Sequence, residues 1–464
     1  MNVLLTHAYF LEDDVKEQQI MRPYPPLGIL YISAFLEQRG ISNEVYDTTF
    51  ASKVKLNHFL TEQKPTIIGI YVNLMTKLNV LNIIRFIKEN LSGSTIILGG
   101  PEVYHSAEKF LRHGADVIVM GEGEETILDL IKNLNQSSTY SVTDFNSVAG
   151  IAFLNDGKFV QTGEREKIKD LNDLPFPNRK KINLQLYLNA WKNHHDKNAI
   201  SVNTMRGCPY TCKWCSRSVY GLSYRRRSPE KVVEELELIK KEYNPDSLWF
   251  VDDVFTISHK WLSSFRDELK KKKIKIPYEC ITRADRMNEE VINLLKETGC
   301  FRVWIGAESG SQKVIDLMDR RVDVNQVRDM IKLTKKHGIE AGTFIMLGYP
   351  GETEDDIEAT INHLKESNPD HFTITIAYPI KGTEFSQQVE SIQTTSLDWA
   401  TSTDRQIDFK RTYSRRYYDF AVRRVTNEVN YYKSGKQSII SPFKIKSIAA
   451  KWGMRWERLQ LLLK

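Results

Sequence analysis

Two successive runs of short apolar segments, each alternating with amphipathic stretches of helix length, narrow the architectures open to this chain. In the first run the pattern predicts strands at Asn2–Thr6, Asn43–Tyr46, Ile67–Val72, Thr95–Leu98 and Asp116–Val119. Helical periodicity falls between and after them, at Leu27–Arg39, Leu56–Glu62, Val80–Asn90, Ala107–Arg112 and Glu125–Leu134. Strands that are apolar throughout, joined by helix-length crossovers, belong to a parallel sheet covered on both faces. The prediction is an N-terminal doubly wound, Rossmann-like α/β domain whose ligands bind beyond the carboxyl ends of its strands. From Ala199 a second alternation predicts six strands: Ile200–Thr204, Ser247–Val251, Tyr278–Thr282, Phe301–Gly306, Gly342–Leu347 and His371–Ala377. With helical patterns between them, they read as a partial (β/α)6 TIM-type barrel with its chemistry at the strands' C-terminal face.

The expected domains are therefore 1–135, a connector at 136–198, the barrel at 199–385 and a helical, basic C-terminal region at 386–464. The connector carries the polar Ser137-Ser138-Thr139, a hairpin signal at Asn155-Asp156-Gly157, and Leu174-Pro175-Phe176-Pro177-Asn178. The overall net charge of +6 resides in the tail, where residues 405–464 hold 15 Lys and Arg against 4 Asp and Glu. A uniformly basic nucleic-acid binder is excluded, and nucleic acid is not expected as a partner. Within the tail, Ile445, Ile448, Ala449, Trp452, Trp456, Leu459 and Leu463 recur at helical spacing. Packing against the barrel is the first expectation for this stripe, and peripheral membrane contact through its Trp and basic residues is the second. No stretch approaches the ~20 apolar residues of a membrane span. The Met1–His7 start lacks a basic n-region, so the expected location is cytoplasmic.

Five cysteines are too few for a disulfide framework, and their placement is uneven. Cys208, Cys212 and Cys215 lie together in Arg206-Gly207-Cys208-Pro209-Tyr210-Thr211-Cys212-Lys213-Trp214-Cys215, directly after a predicted strand. Thiolates bind soft metals and iron–sulfur clusters. Three of them leave one iron of a [4Fe–4S] cluster without a protein ligand, and so able to bind a substrate or cofactor. Zinc normally takes four ligands, and the loop offers no fourth Cys or His. Cys280 and Cys300, within and at the start of predicted strands, are expected in the core.

The C-x3-C-x-aromatic-C spacing resembles the signature of the radical S-adenosylmethionine (SAM) enzymes, with Trp214 as the aromatic, over roughly Ala199 to Phe385. The resemblance implies a [4Fe–4S] cluster whose open iron chelates SAM and whose electron cleaves it to a 5′-deoxyadenosyl radical. It also implies SAM contacts at Trp214 (adenine), Asp252 and Asp253 (the methionine ammonium), Arg283 (ribose or carboxylate, by a bidentate fork) and Glu308. Asp252-Asp253 stands where the family more usually has Gly-Gly-Glu.

The N-terminal half resembles the cobalamin (B12)-binding domain of the B12-dependent members of that class. The resemblance rests on Tyr24-Pro25-Pro26-Leu27-Gly28-Ile29-Leu30-Tyr31, on Gly99-Gly100-Pro101-Glu102 and on Gly121-Glu122-Gly123-Glu124. It implies cobalamin contacts at Leu27, Gly28, Gly99, Gly100, Pro101, Glu102, Gly121, Glu122 and Gly123. Glycines at strand ends would let backbone approach the ligand. The Asp-x-His-x-x-Gly motif that supplies a lower cobalt ligand in many cobalamin domains is missing. His7 is left unassigned, and Asn73, Leu74 and Met75 are candidates to approach the lower face.

The activity the resemblance implies is methyl transfer to an unactivated carbon, through a 5′-deoxyadenosyl radical and methylcobalamin. The expected substrate is a small molecule such as a natural product, tetrapyrrole or lipid. The expected electron donor is an external one-electron reductant such as flavodoxin or ferredoxin. A non-methylating outcome such as oxidative cyclisation, hydroxylation or ring contraction is the second reading. A non-enzymatic iron–sulfur or zinc sensor is the reading from another class. Tyr413, Arg415, Arg416, Tyr417 and Tyr418 either contact a ligand or coat a helix.

Overall fold

The computed structural model describes residues 2–136, 142–435 and 441–463. The Ser137-Ser138-Thr139 stretch of the expected connector lies outside them. Strands β1 (Val3–His7), β2 (Glu44–Tyr46), β3 (Ile67–Tyr71), β4 (Thr95–Gly99) and β5 (Val117–Val119) form a parallel sheet in the order β2-β1-β3-β4-β5. Both faces are covered, which is why these strands read as continuous apolar runs. Leu27–Gln38 and Glu124–Gln136 pack Ile29, Leu30 and Ile131 against Val3, Leu5 and Val119 on one face. Leu56, Leu60, Val80, Ile84 and Phe110 cover Leu4, Ile68, Ile70 and Leu98 on the other. Within β3, a Cβ on Gly69 would stand 2.9 Å from the Leu5 side chain.

The expected connector is not a linker. Its first part, β6 (Ile151–Asn155) and β7 (Lys158–Gln161), extends the same sheet antiparallel beyond β5. Asp156 and Gly157 both have positive φ, the turn that matches a two-residue hairpin to the twist of its strands. The later part, the helix Leu184–His195, buries Leu184, Tyr187 and Leu188 in the barrel's own core. The sheet therefore runs on past the boundary at 135, because β5 leaves an edge that β6 pairs.

The second unit holds β8 (Ala199–Val202), a two-residue ribbon of β9 (Met205–Arg206) and β10 (Arg225–Arg226), then β11 (Ser247–Phe250), β12 (Tyr278–Thr282), β13 (Cys300–Glu308), β14 (Glu340–Leu347) and β15 (His371–Ile376). β8 and β11 to β15 pair in parallel and in chain order, a partial barrel with the ribbon set apart. Local sequence starts the crossover helices. Ser228 accepts from the Lys231 amide with Pro229 in the first turn, and Asn288 accepts from the Val291 amide. Cys280 and Cys300 are buried in this core.

The C-terminal region is only partly helical, since most of the chain between Glu390 and Arg415 is irregular. The helix Arg415–Lys433 buries Tyr417, Tyr418, Ala421, Val425 and Val429 against the barrel. The terminal helix Pro442–Leu462 then lies on that helix, and here the first expectation fails. Its inward face is Ala450 and Met454, whereas Ile445, Ile448, Trp452, Trp456, Leu459 and Leu463 are exposed. Small residues decide which face docks: a Cβ on Gly453 would come within 2.6 Å of the Phe420 ring, so the helices approach most closely there.

Candidate active site

Ribbon β9–β10 closes the base of the cysteine loop. Arg206 pairs with Arg225 and Met205 with Arg226, leaving residues 207–224 as the loop that carries Cys208, Cys212 and Cys215. Gly207 turns the chain into it at φ +83°, where a Cβ would lie 2.3 Å from Ser223 Oγ. Asp252, just after β11, anchors this base. Its Oδ1 accepts from the Thr204 and Met205 amides at 2.7 and 3.2 Å, and its Oδ2 accepts from the Thr204 hydroxyl. Arg226 approaches the same carboxylate at 3.6 Å. The expectation that Asp252 receives the methionine ammonium is therefore not met: both oxygens are spent inside the protein. Asp253 instead lines the cavity beside the loop.

The Cys212 sulfur faces two guanidinium groups. Arg283 Nη1 and Arg320 Nη1 each lie 3.6 Å from the buried Cys212 Sγ. Arg283 stacks 3.9 Å from the Tyr210 ring centroid, bonds Asp285 through Nε at 2.8 Å, and donates from Nη2 to the Arg320 carbonyl at 2.8 Å. Its fork is thus committed to the thiol side of the site, not held open for a carboxylate ligand as the sequence reading expects. Burial raises the Cys208 and Cys215 thiols, Cys215 to about 12. Thiols held that high become thiolates against a bound cation, not as free nucleophiles. Among the described residues, no three His, Cys, Asp or Glu side chains converge on one point as a mononuclear metal would require. A cubane takes one thiolate per iron and does not require it.

Cys208 and Cys215 open onto a cavity of about 430 Å³ between the carboxyl ends of the first sheet and the cysteine loop. Leu27, Gly28, Gly99, Gly100, Pro101, Gly121, Glu122 and Gly123 line its far side. Clefts of about 300 and 330 Å³ share walls with it, one through Gly121, Cys215 and Ser218, the other through Leu27, Gly28 and Tyr71. The glycines differ in cause. A Cβ on Gly28 would meet nothing within 4 Å, so its backbone stands open to a ligand. Gly100, at φ +112°, would drive a Cβ to 2.4 Å from the Val72 carbonyl, so the fold itself requires it.

Several expected contacts are engaged elsewhere. Glu122 receives Arg206 at 2.8 Å, Arg225 at 2.7 Å and the Ile168 amide at 2.9 Å. Burial would raise it, but the two guanidinium groups outweigh burial and hold the carboxyl below its ordinary range. Glu102 does not line the cavity. Burial, then Asp404, pushes it up to about 7, against the opposing charges of Lys77 and Lys381. Asn73 caps its own turn, accepting from the Met75 and Thr76 amides, and lines the cleft of about 330 Å³; Leu74 lines none of these spaces. His7 is locked, with Asp47 at 2.9 Å from Nε2 and Thr48 Oγ1 at 3.1 Å from Nδ1.

Trp214 and Glu308 meet in a separate cleft of about 140 Å³, with Phe344, Met346 and Thr375 on its walls. Glu308 sits at φ 64°, a strained setting for a residue with a side chain. Burial raises its carboxyl despite Arg320 at 3.7 Å. Tyr417 and Tyr418 are core residues, Tyr413 stacks on Tyr417 at 4.0 Å, and Arg416 pairs with Glu457 at 3.3 Å. They serve the C-terminal packing.

Sequence reasoning missed Arg206, Glu124, Arg320 and the Ser216–Tyr220 wall. Arg206 bridges the two units by pairing with both Glu122 and Glu124. Its adjacency to Gly207-Cys208 is the signal that could have marked it.

Comparisons with known proteins converge on this layout. The Radical SAM superfamily model matches residues 202–364 and the B12 binding domain model residues 20–131. An uncharacterized methyltransferase of Pyrococcus horikoshii is 29% identical over 368 residues, covering 77% of each chain. The anaerobic magnesium-protoporphyrin IX monomethyl ester cyclase of Rubrivivax gelatinosus is 27% identical over 378 residues, 80% of this chain and 66% of that one. The solved structure of the cobalamin-dependent SAM radical enzyme OxsB with aqua-cobalamin bound superposes with a TM-score of 0.73 at 18% identity, covering 92% of this chain and 66% of that one. The chain thus spans about two thirds of the cyclase and of OxsB.

The barrel with its three-cysteine loop is a radical SAM domain. Joined to the B12 binding domain, it places the chain in the family of cobalamin-dependent radical SAM enzymes. The cofactors of that pairing are a [4Fe–4S] cluster, SAM and cobalamin.

Proposed function

We propose that this enzyme transfers a methyl group to an unactivated carbon of a small-molecule substrate, with Cys208, Cys212 and Cys215 as the cluster ligands. The observation that carries the reading is the single cavity walled by Cys208 and Cys215 on one side and by Gly28, Gly99 and Gly121 on the other. Bound there, the cluster supplies the electron that cleaves SAM and the corrin supplies a methyl carrier. Arg283 and Arg320 offset negative charge at the Cys212 sulfur. Trp214 and Glu308 offer an aromatic face and a carboxylate for SAM in the neighbouring cleft. Asp253 offers a second carboxylate from the cavity wall. Asp252 and Glu122 act by holding the loop and the domain interface. The electron comes from an external one-electron donor of the flavodoxin or ferredoxin kind.

The likeness to a methyltransferase over 77% of the chain supports methylation, and the likeness to the cyclase supports a non-methylating outcome as the second reading. Product analysis of the reduced, reconstituted enzyme separates them. Methylation predicts S-adenosylhomocysteine together with 5′-deoxyadenosine. Formation of 5′-deoxyadenosine with no S-adenosylhomocysteine overturns it in favour of the second reading.

Gly28 gives a test of the corrin side. Gly28→Leu adds a side chain into open space in a helix's first turn, so stability should change by no more than ~1 kcal/mol. Corrin retention, measured by absorbance after gel filtration, should fall by at least ~10-fold, equivalent to ~1.4 kcal/mol of lost binding.

A further inference from the structure

The terminal helix carries two apolar faces, and only one of them is used. Met454 is 1% exposed against the preceding helix, while Trp452 and Trp456 are 64% and 62% exposed. Ile445, Ile448, Trp452, Trp456, Leu459 and Leu463 follow i, i+3 and i+4 steps, so they form one continuous stripe ~27 Å long on the side away from the protein. Basic residues edge that stripe. Lys451 and Arg455 follow one border and Lys446 the other, and none of the three has a carboxylate partner among the described residues. Arg455 lies 5.4 Å from the Trp452 ring centroid, the amphipathic pairing common where a helix meets a headgroup layer. Glu457, the one acid on the helix, is buried and turned to Arg416.

We propose that this face docks on the surface of an anionic lipid bilayer, with the two tryptophans entering the headgroup boundary and the lysines and arginine meeting lipid phosphates. Charge selects this occupant. A second copy of the chain would bring one basic border against another, with no outward acid on the helix to pair it. A bilayer rich in anionic headgroups satisfies both the apolar stripe and its rim. Contact is peripheral, because among the described residues no helix is long and apolar enough to cross a membrane.

Vesicle flotation of the full-length holoenzyme tests the proposal. The protein should float with vesicles of equal parts phosphatidylcholine and phosphatidylglycerol, and ~10-fold less with phosphatidylcholine alone. Added salt should weaken the first binding. Trp452→Ser with Trp456→Ser should reduce binding by about 10-fold while the melting temperature holds, since both side chains are exposed. Lys446→Gln with Lys451→Gln should weaken binding to the anionic vesicles only. Failure of the wild type to float with either vesicle overturns the proposal, as does unchanged flotation of the tryptophan variant. A dimer that the tryptophan substitutions dissolve, without any vesicle binding, also overturns it and assigns the face to a second copy.

Discussion

Replacement of Cys208, Cys212 and Cys215 together by alanine is expected to abolish iron loading and to lower reductive cleavage of SAM by at least ~10³-fold, a barrier increase of ~4 kcal/mol. The cause is chemical, not a collapse of the fold. The loop is held at its base by the Arg206–Arg225 and Met205–Arg226 pairs, by Gly207 and by the buried Asp252, none of which the substitutions touch. Only Cys212 packs into the protein interior, whereas Cys208 and Cys215 line the cavity, so circular dichroism should remain that of a folded protein. Iron analysis and 5′-deoxyadenosine formation are the readouts. Corrin retention should survive in part, because the glycine wall belongs to the other domain. Iron loading and SAM cleavage at wild-type levels in the triple variant would remove the cysteine loop from the chemistry.

Arg206→Met should destabilise the folded chain by about 3–5 kcal/mol, the usual result of leaving a buried charge without its partner. Arg206 is buried between Glu122 and Glu124, which come from the first domain, while Arg206 itself belongs to the ribbon under the cysteine loop. Glu122 keeps Arg225, but Glu124 loses its guanidinium partner. Glu124→Gln placed on top of Arg206→Met should therefore recover part of the loss, a coupling that a double-mutant cycle in urea reads directly. The pH dependence has a defined sign. Because Arg225 and Arg206 hold Glu122 below its ordinary range in the folded state, its contribution is present above the unfolded carboxyl pKa near ~4.3. It is lost as pH falls through the lower folded value. Arg206→Met should flatten this acid limb, and an unchanged limb would show that the bridge is not a determinant of acid stability.

Much of the scaffold was readable from residue pattern alone, for physical reasons that also explain the exceptions. All six predicted barrel strands overlap the observed ones, and Tyr278–Thr282 coincides, because parallel strands packed under crossover helices announce themselves as short apolar runs between capped helices. The cysteine loop was legible because ligand spacing is local. The partners of Asp252 and Glu122 were not legible because they are remote: the Asp252 acceptors are taken by Thr204 and Met205, and the oxygens of Glu122, which does line the cavity, by Arg206 and Arg225. A motif that places an acid at a strand end does not reveal a cation some 80 or more residues away in sequence. The terminal helix shows a different limit. Periodicity detects an apolar face, but it does not say which of two opposed faces will dock. Ala450 and Gly453 settled that by allowing close approach on the side with the smaller side chains.

The most direct test is the metal and corrin content of the wild-type chain after anaerobic reconstitution with iron, sulfide and cobalamin. A site built as described should bind about four irons per chain, as one cubane requires, together with a single corrin. One zinc without iron, or a full complement of iron with no retained corrin, would contradict it.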